Sequence, residues 1–201
     1  MKKLTFLLLI AMIASACGIN KQIERARAFE KCRYDILSAD SIYLAGIDVK
    51  QVVKSQNFDL LKSPRLALYL LRKDIPFEGR LNLQIKNPSN TLAAINQFEY
   101  KILIKDQELA SGLIDKAIAV QPNGGVLTVP IRINSNIYNL LTDSKAQREV
   151  SDFFNSLTGG SGQTRSIVTI KIKPTIGVGN KLIKYPGYIT IDKEISKKIF
   201  M

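Results

Sequence analysis

The sequence predicts a mainly β protein, an antiparallel β-sandwich of immunoglobulin or fibronectin III-like type with short helical insertions. About seven short segments alternate apolar and polar side chains, as strands with one buried face do. Clusters of turn-forming residues separate these segments. The composition, with 46% hydrophobic and 23% charged residues among 201, is ordinary for a globular protein with room for one core.

Residues 1–16 are predicted to be a signal peptide. Lys2 and Lys3 form a basic start, and residues 4–13 form an apolar run that is too short to span a bilayer. Ala14-Ser15-Ala16 fits cleavage by an ordinary signal peptidase, which is one way to release the mature chain. An uncleaved anchor is another interpretation of the segment.

The favoured interpretation comes from residues 13–17, Ile-Ala-Ser-Ala-Cys, which resemble the lipobox of bacterial lipoproteins. Ala14 stands where that pattern more usually has leucine. The resemblance implies that Cys17 is lipidated, carries acyl chains such as palmitate, and becomes the first residue of a membrane-anchored chain. Gly18, in the place where inner-membrane lipoproteins typically have Asp, implies a location in the bacterial cell envelope at the outer membrane, facing the periplasm.

Acylation of Cys17 leaves Cys32 as a single thiol. We expect Cys32 to be a small apolar residue packed beside Phe29 and Tyr34. A reactive or intermolecular thiol is the alternative. If Cys17 is not acylated, a Cys17–Cys32 disulfide becomes possible.

Residues 33–201 are predicted to form a single β-sandwich domain, preceded by a lipidated N-terminus and tether over residues 17–32. Within the tether, residues 23–31 form either a short helix or a continued spacer. Pro130 has no backbone N–H to donate, which indicates an edge strand or a bulge, and Pro174 is expected to end its strand. The predicted strands cover residues 34–38, 41–53 (broken by Gly46), 78–86, 97–105, 109–120, 126–134, 165–173 and 184–192.

Two helical segments interrupt the strands. Residues 57–73 predict a helical crossover that Pro64 breaks. Residues 136–162 predict a helical insertion, which ends in a flexible exit over residues 159–162. Apolar residues of this insertion repeat at the spacing of one helical face: Val150, Phe153, Phe154 and Leu157.

One strand ends in Asn87-Pro88, a hydrophobic strand follows over residues 98–104, and Ala110-Ser111-Gly112 comes after it. Together with the alternating strand 126–131, this order resembles the late embryogenesis abundant type 2 family, also called the water-stress and hypersensitive-response domain. The resemblance covers residues 33–134, with a weaker continuation over 167–191. It implies a fibronectin-like sandwich, a protective or interaction role in stress and desiccation, and no catalytic residues. Asn87, Pro88 and Gly112 are then structural motif residues.

Composition excludes several classes of active site. The chain has no histidine, so it cannot build a Ser-His-Asp or Cys-His catalytic unit, and its two cysteines cannot form a four-cysteine metal cluster. The carboxylates that could in principle do acid–base work are interpreted as surface groups: Asp35 with Asp40, and Asp143 with Glu149 and Asp152. We therefore expect no enzyme activity, no catalytic, cofactor-binding or metal-binding residues, and no cofactor.

The chain is strongly basic, with 29 Lys and Arg against 17 Asp and Glu. Contact with anionic lipid head groups is one interpretation, and a solvated face that keeps edge strands apart is the other. No nucleic-acid partner is expected, because the chain is exported and its basic residues are not interleaved with aromatic ones. Lysines expected on solvated faces are Lys101, Lys105, Lys171, Lys173, Lys193, Lys197 and Lys198.

The functional hypothesis is a non-enzymatic, membrane-anchored lipoprotein that protects membrane or protein surfaces during desiccation or envelope stress. The alternative is a periplasmic adaptor or assembly module. It would bind an envelope protein through an exposed edge strand or through the 136–162 insertion, or hold an apolar ligand between its sheets.

Overall fold

The computed structural model describes residues 20–54, 64–158, 166–178 and 181–195. The helices are α1 (20–30), α2 (Val49–Lys54), α3 (Pro64–Leu71), α4 (Tyr138–Thr142) and α5 (Ser144–Thr158). The strands are β1 (Arg33–Leu44), β2 (Ile47–Asp48), β3 (Pro76–Lys86), β4 (Ala93–Ile95), β5 (Gln97–Ile104), β6 (Gln107–Ile114), β7 (Ile118–Val120), β8 (Val126–Asn136), β9 (Ser166–Val178), β10 (Lys181–Lys184) and β11 (Ile189–Ile195).

Two antiparallel sheets form the body of the protein. The first has the order β2-β1-β3-β8. In the second, β6, β5 and β9 lie side by side, and β10 and β11 both pair with the far edge of β9. β4 and β7 form a separate two-stranded ladder. Apolar side chains of both sheets belong to one core cluster, so the predicted mainly β, antiparallel sandwich with short helices is confirmed.

The alternating segments form this core as their periodicity predicts. In β3 the buried residues are Leu81, Leu83 and Ile85, and their polar neighbours face outward. Every second residue of β5, from Phe98 to Ile104, is buried in the same way. Pro130 lies in β8, an outer strand that pairs only with β3, which agrees with the expected edge position.

The N-terminal strand differs from the prediction of separate strands over 34–38 and 41–53. β1 is continuous, and its pairing with β3 shifts register between Ile36 and Ser38 and again between Asp40 and Tyr43. Each shift resets the in–out alternation, which is why the sequence pattern seemed to break. The chain then turns at Ala45-Gly46, both at positive φ, and α2 replaces the rest of the predicted strand.

The C-terminal strands also differ from the prediction, because Pro174 lies within β9 and does not end it. The Pro174 oxygen accepts from the Tyr185 N–H at 2.8 Å, so this side of Pro174 faces the break between β10 and β11. The missing proline N–H therefore removes no ladder bond. The same break, at residues 185–188, divides the strand predicted over 184–192. The strand predicted over 109–120 is likewise two, β6 and β7.

The predicted insertion over 136–162 packs against the sandwich. Asp143 caps α5, since its Oδ1 accepts from the N–H groups of Lys145 at 3.0 Å and Ala146 at 2.8 Å. Val150 and Phe153 are buried in the core cluster. The side chains of Phe154 and Leu157 lie outside the described part, as do residues 55–63 of the predicted crossover.

Candidate functional site

The N-terminal helix α1 is part of the folded domain. Ala26, Ala28 and Phe29 are buried in the core cluster. The Phe29 ring meets the Tyr34 ring edge-on, with 5.7 Å between centroids, and the Tyr34 hydroxyl donates to the Phe29 oxygen. Residues 20–30 were expected to belong to a tether that ends at residue 32. In the structure α1 belongs to the folded domain. The domain therefore includes residue 20, which precedes Cys32 by twelve residues.

The start of α1 lies beside the last residues of β9. Gln22 and Arg25 line a cleft of about 250 Å³ together with Ile176 and Gly177. Further along, Glu30 accepts a hydrogen bond of 2.6 Å from the Tyr185 hydroxyl, which raises the pKa of that tyrosine. The contacts at Gln22 and at Glu30 show that α1 runs along the β9–β10 hairpin. Its first turn lies beside the end of β9.

These contacts define one end of the sandwich, which we call the hairpin end. It comprises the first turn of α1, the β9–β10 hairpin and the β4–β7 ladder, whose residues 94–96 and 117–119 complete the cleft. Helices α2, α4 and α5 lie at the opposite end, near the start of β3 and the end of β5. We call that the helical end.

The β9–β10 hairpin presents apolar side chains to solvent. All four residues of β10 are exposed, including Leu182 at 59% and Ile183 at 47%. Lys181 and Lys184 flank them. The sequence carries no signal for this feature, because two apolar residues between lysines match neither helical nor strand periodicity.

Three of the lysines expected on solvated faces have carboxylate partners: Lys101, Lys105 and Lys193. Lys101 pairs with Glu108 at 2.7 Å, and Lys184, on the same face, pairs with Glu99. Lys173 lies over the ring of Tyr188, 5.2 Å from its centroid. Lys193 and Lys105 pair with Asp35 at 2.5 Å and Asp152 at 3.9 Å. This pairing favours the solvated-face interpretation for the outer side of the second sheet. Lys197 and Lys198 lie outside the described residues.

The motif residue Asn87 organises the turns at the hairpin end. Its buried Nδ2 donates to the oxygens of Thr91 at 2.8 Å and Val120 at 3.1 Å. Its Oδ1 accepts from the N–H of Ser89 at 3.0 Å and from the Ser89 hydroxyl at 2.7 Å. Asn87 thus joins the turn that contains Pro88 to β7, which agrees with a structural role.

Gly112, the other motif residue, makes room for Tyr100. A Cβ added at Gly112 would lie 2.6 Å from the Tyr100 hydroxyl oxygen and 2.7 Å from Cζ. The two residues are register partners on β6 and β5. Gly112 is therefore a packing residue, and this explains why the position has no side chain.

Only one of the two cysteines lies in the described part of the chain. Cys17 lies outside the described residues. Cys32 is buried, and its thiol donates to the Ala28 oxygen at 3.4 Å. Burial raises the pKa of this thiol to about 11, so the nucleophilic thiolate is disfavoured. This geometry agrees with the expected packing role of Cys32.

Four of the five carboxylates noted in the sequence have structural partners, whereas the buried Oε2 of Glu149 has no hydrogen-bond partner among the described residues. Asp40 accepts from the Ser38 hydroxyl at 3.1 Å and from Asn82 at 2.6 Å. Asp35 and Asp152 pair with lysines, and Asp143 caps α5. Among the described residues, no three His, Cys, Asp or Glu side chains come together to hold a metal ion.

A small apolar cavity lies between the sheets. Its volume is about 50 Å³, and residues of both sheets line it together with Phe153 of α5. A cavity that holds benzene measures about 150 Å³. This cavity therefore has no room for an acyl chain or a similar apolar ligand.

Comparison with known proteins adds little. No family model matches the sequence, and no curated protein matches it. One similar solved structure is described as a protein from Archaeoglobus fulgidus. It is 16% identical, with a TM-score of 0.31 over 60% of this chain and 86% of the other. Within the described residues, no helix combines the length and apolar character needed to cross a bilayer.

Proposed function

We propose that this protein is a lipid-anchored, non-enzymatic protein of the bacterial envelope that protects membrane and protein surfaces when water is lost. The lipobox-like residues that end at Cys17 support the anchor. The resemblance to the late embryogenesis abundant type 2 family supports the protective role, and the antiparallel sandwich is compatible with that resemblance. The observation that carries the proposal is the docking of α1 against the sandwich, with Phe29 fully buried.

If Cys17 is lipidated, the docking of α1 limits the distance between the domain and the membrane. From Cys17 to residue 20 the chain can span about 10 Å, whereas a free tether over 17–32 would span about 50 Å. A lipid on Cys17 would therefore hold the hairpin end against the bilayer, with the helical end directed away. A domain held this closely acts on its own membrane surface, where a protectant against drying is useful.

The anchor is tested first. Mass spectrometry of the mature protein should find a lipidated N-terminal Cys17, and Cys17→Ser should move the protein out of the membrane fraction. An unmodified Cys17 in a protein that fractionates with soluble proteins would refute the anchoring.

The protective role is tested with the lipidated protein in dye-loaded vesicles that are dried and rehydrated. We expect less dye leakage than with an unrelated lipidated basic β-sandwich at equal surface density. Inserting a flexible Gly/Ser segment of about 20 residues after Gly18 should weaken the effect, because the domain then leaves the surface. Equal leakage with the protein and the unrelated control would contradict the protective role.

A second candidate function is an adaptor for another envelope protein. It is favoured by α3, which exposes Leu68 at 59% and Leu71 at 81%. A photo-crosslinking residue at Leu71 should then capture one specific partner in intact cells, and the same residue at Leu113 on β6 should not. Failure to capture a partner at Leu71 would count against this candidate.

A further inference from the structure

We infer that the β9–β10 hairpin inserts Leu182 and Ile183 into the interfacial layer of the bilayer, so that the sandwich stands on its hairpin end. This inference rests on the proposed lipid anchor for its orientation. It adds a second membrane contact, made by protein side chains, in the place where the anchor would hold the chain.

The exposure of the hairpin is the first argument. Leu182 and Ile183 are adjacent in β10, so their side chains leave opposite faces of the strand, yet 59% and 47% of their surfaces are exposed. Their register partners on β9 are Gly177 and Ile176. Neither side chain is thus buried by the described part of the chain, which is unusual for two large aliphatic residues side by side.

The position of residue 20, at the start of α1, is the second argument. Gln22 of α1 and Gly177 of β9 line the same cleft, and Gly177 is the partner of Leu182. Residue 20 is therefore at the hairpin end, and Cys17 is at most about 10 Å of chain away from it. A bilayer that received the acyl chains of Cys17 would lie within reach of Leu182 and Ile183.

Charge at the hairpin end fits an anionic surface. Lys21, Lys116 and Lys181 are exposed, and none has a carboxylate within 4 Å among the described residues. Lys184, in contrast, is paired with Glu99. Basic residues beside exposed aliphatic ones are typical of segments that lie in the interface of an anionic membrane.

Backbone chemistry limits the depth and disfavours a β-strand partner. Within the described part of the chain, the outer edge of β10 has unpaired N–H and C=O groups, which cannot enter the hydrocarbon core without a large cost. The hairpin therefore stays in the interfacial layer, where Leu182 and Ile183 contact the acyl boundary and these backbone groups remain hydrated. β10 has four residues with lysine at each end, and short edges with lysines resist pairing with another strand.

The chain offers a clean probe, because it has no tryptophan. Ile183→Trp places one at the hairpin end, and Ile167→Trp is the matched control. The two isoleucines are 47% and 49% exposed. Ile167 lies near the start of β9, about 30 Å along the strand from the partner of Ile183. Each variant is prepared as the full lipidated protein in vesicles of phosphatidylethanolamine and phosphatidylglycerol.

Acyl-chain-brominated lipids quench only tryptophans that reach them. We expect quenching at position 183 to exceed that at position 167 by about threefold or more, with a blue-shifted emission at 183 only. Equal quenching at the two positions would overturn the inference. A blue shift at 183 without bromine quenching would also overturn it, because it would mean that a protein surface, such as a second copy of the chain, covers the hairpin.

Flotation of the vesicles separates this inference from the proposed anchor. If the lipidated protein floats but position 183 is not quenched, the hairpin contact is wrong and the anchor stands. If Cys17 carries no lipid, the hairpin is tested alone with Cys17→Ser and anionic vesicles. Binding should then be lost in the Leu182→Glu/Ile183→Glu variant and kept in Ile167→Glu, with equal melting temperatures as the folding check. Equal binding by the two variants would overturn the inference.

Discussion

The hydroxyl of Tyr100 donates a 2.7 Å hydrogen bond to the backbone oxygen of Arg132, and this bond joins the two sheets of the sandwich. Tyr100 lies on β5 of the second sheet and Arg132 on β8 of the first. The tyrosine ring crosses between them because Gly112, its neighbour on β6, has no side chain. One aromatic residue thus links three strands and both sheets.

Replacing Tyr100 with phenylalanine should lower the free energy of unfolding by about 1 kcal/mol, since a partly buried carbonyl loses its donor while the ring is kept. Urea unfolding of Tyr100→Phe measures the loss. Tyr43→Phe is the matched control, because Tyr43 is exposed and its hydroxyl makes no hydrogen bond within the described part of the chain. Equal stability of the two variants would show that the bond between the sheets contributes nothing.

Adding a methyl group at Gly112 should destabilise the fold by about 1–3 kcal/mol, because the Tyr100 ring must move out of its place. Urea unfolding of Gly112→Ala measures the loss. In a Tyr100→Leu background the cost of Gly112→Ala should shrink, since the clashing ring is gone. A cost that is the same in both backgrounds would mean that the glycine serves something other than Tyr100.

Loss of the Asn87 side chain should cost about 2–4 kcal/mol, because buried groups of Ser89, Thr91 and Val120 lose partners together. Asn87→Asp keeps the shape but removes two donors and buries a carboxyl group. The loss in the free energy of unfolding caused by Asn87→Asp should be smaller at pH 4 than at pH 7, since protonation removes the buried charge. Asn90→Ala, on the exposed side of the same turn, should change the midpoint of unfolding very little.

The thiol of Cys32 should react with iodoacetamide at pH 8 far more slowly in the native protein than in urea. Burial and a pKa of about 11 both reduce the reactive thiolate. Because folding raises the pKa of this thiol, the free energy of unfolding should also fall as pH rises from about 8.5 toward 11. Between these pH values the unfolded chain loses the thiol proton and the folded chain keeps it. Cys32→Ala should remove this part of the alkaline loss. Fast native alkylation at pH 8 would favour the reactive-thiol alternative.

The ion pairs on the outer face of the second sheet should give a pH-dependent contribution to stability. A hydrogen bond from Lys184 lowers the pKa of Glu99, and one from Lys101 lowers that of Glu108. The contribution is thus present above about pH 4.3 and is lost as pH falls through the lowered values. The pKa values of the two lysines are raised, so the contribution also fades as pH rises beyond about 10.4.

Thermal melts of the native chain and of Glu99→Gln/Glu108→Gln measure this effect. The difference in melting temperature should be small at pH 7, absent at pH 2, and reduced by salt, because the pairs are exposed. A difference that grows as the pH falls would contradict the assignment.

Strand periodicity predicted the body of the fold correctly, and its errors have local causes. β3, β5 and β8 have a buried face with strict alternation, so the pattern alone locates them. β1 was misjudged because two register shifts reset its alternation. Pro174 was misjudged because a missing N–H disrupts a strand only where a neighbouring strand would accept from it. Which strand lies beside Pro174 is decided by the assembled sheet.

The sequence by itself determined the mainly β class, limited Pro130 to an edge strand or a bulge, and located the helical insertion, because each depends on residue types at fixed spacings. It also supplies the lipobox-like residues on which the anchor hypothesis depends. Only the tertiary structure decided that α1 packs against the sandwich and that Leu182 and Ile183 remain uncovered. Both depend on which surfaces meet after folding, and a charged helix or a Lys-Leu-Ile-Lys segment looks the same in sequence whether or not a neighbour covers it.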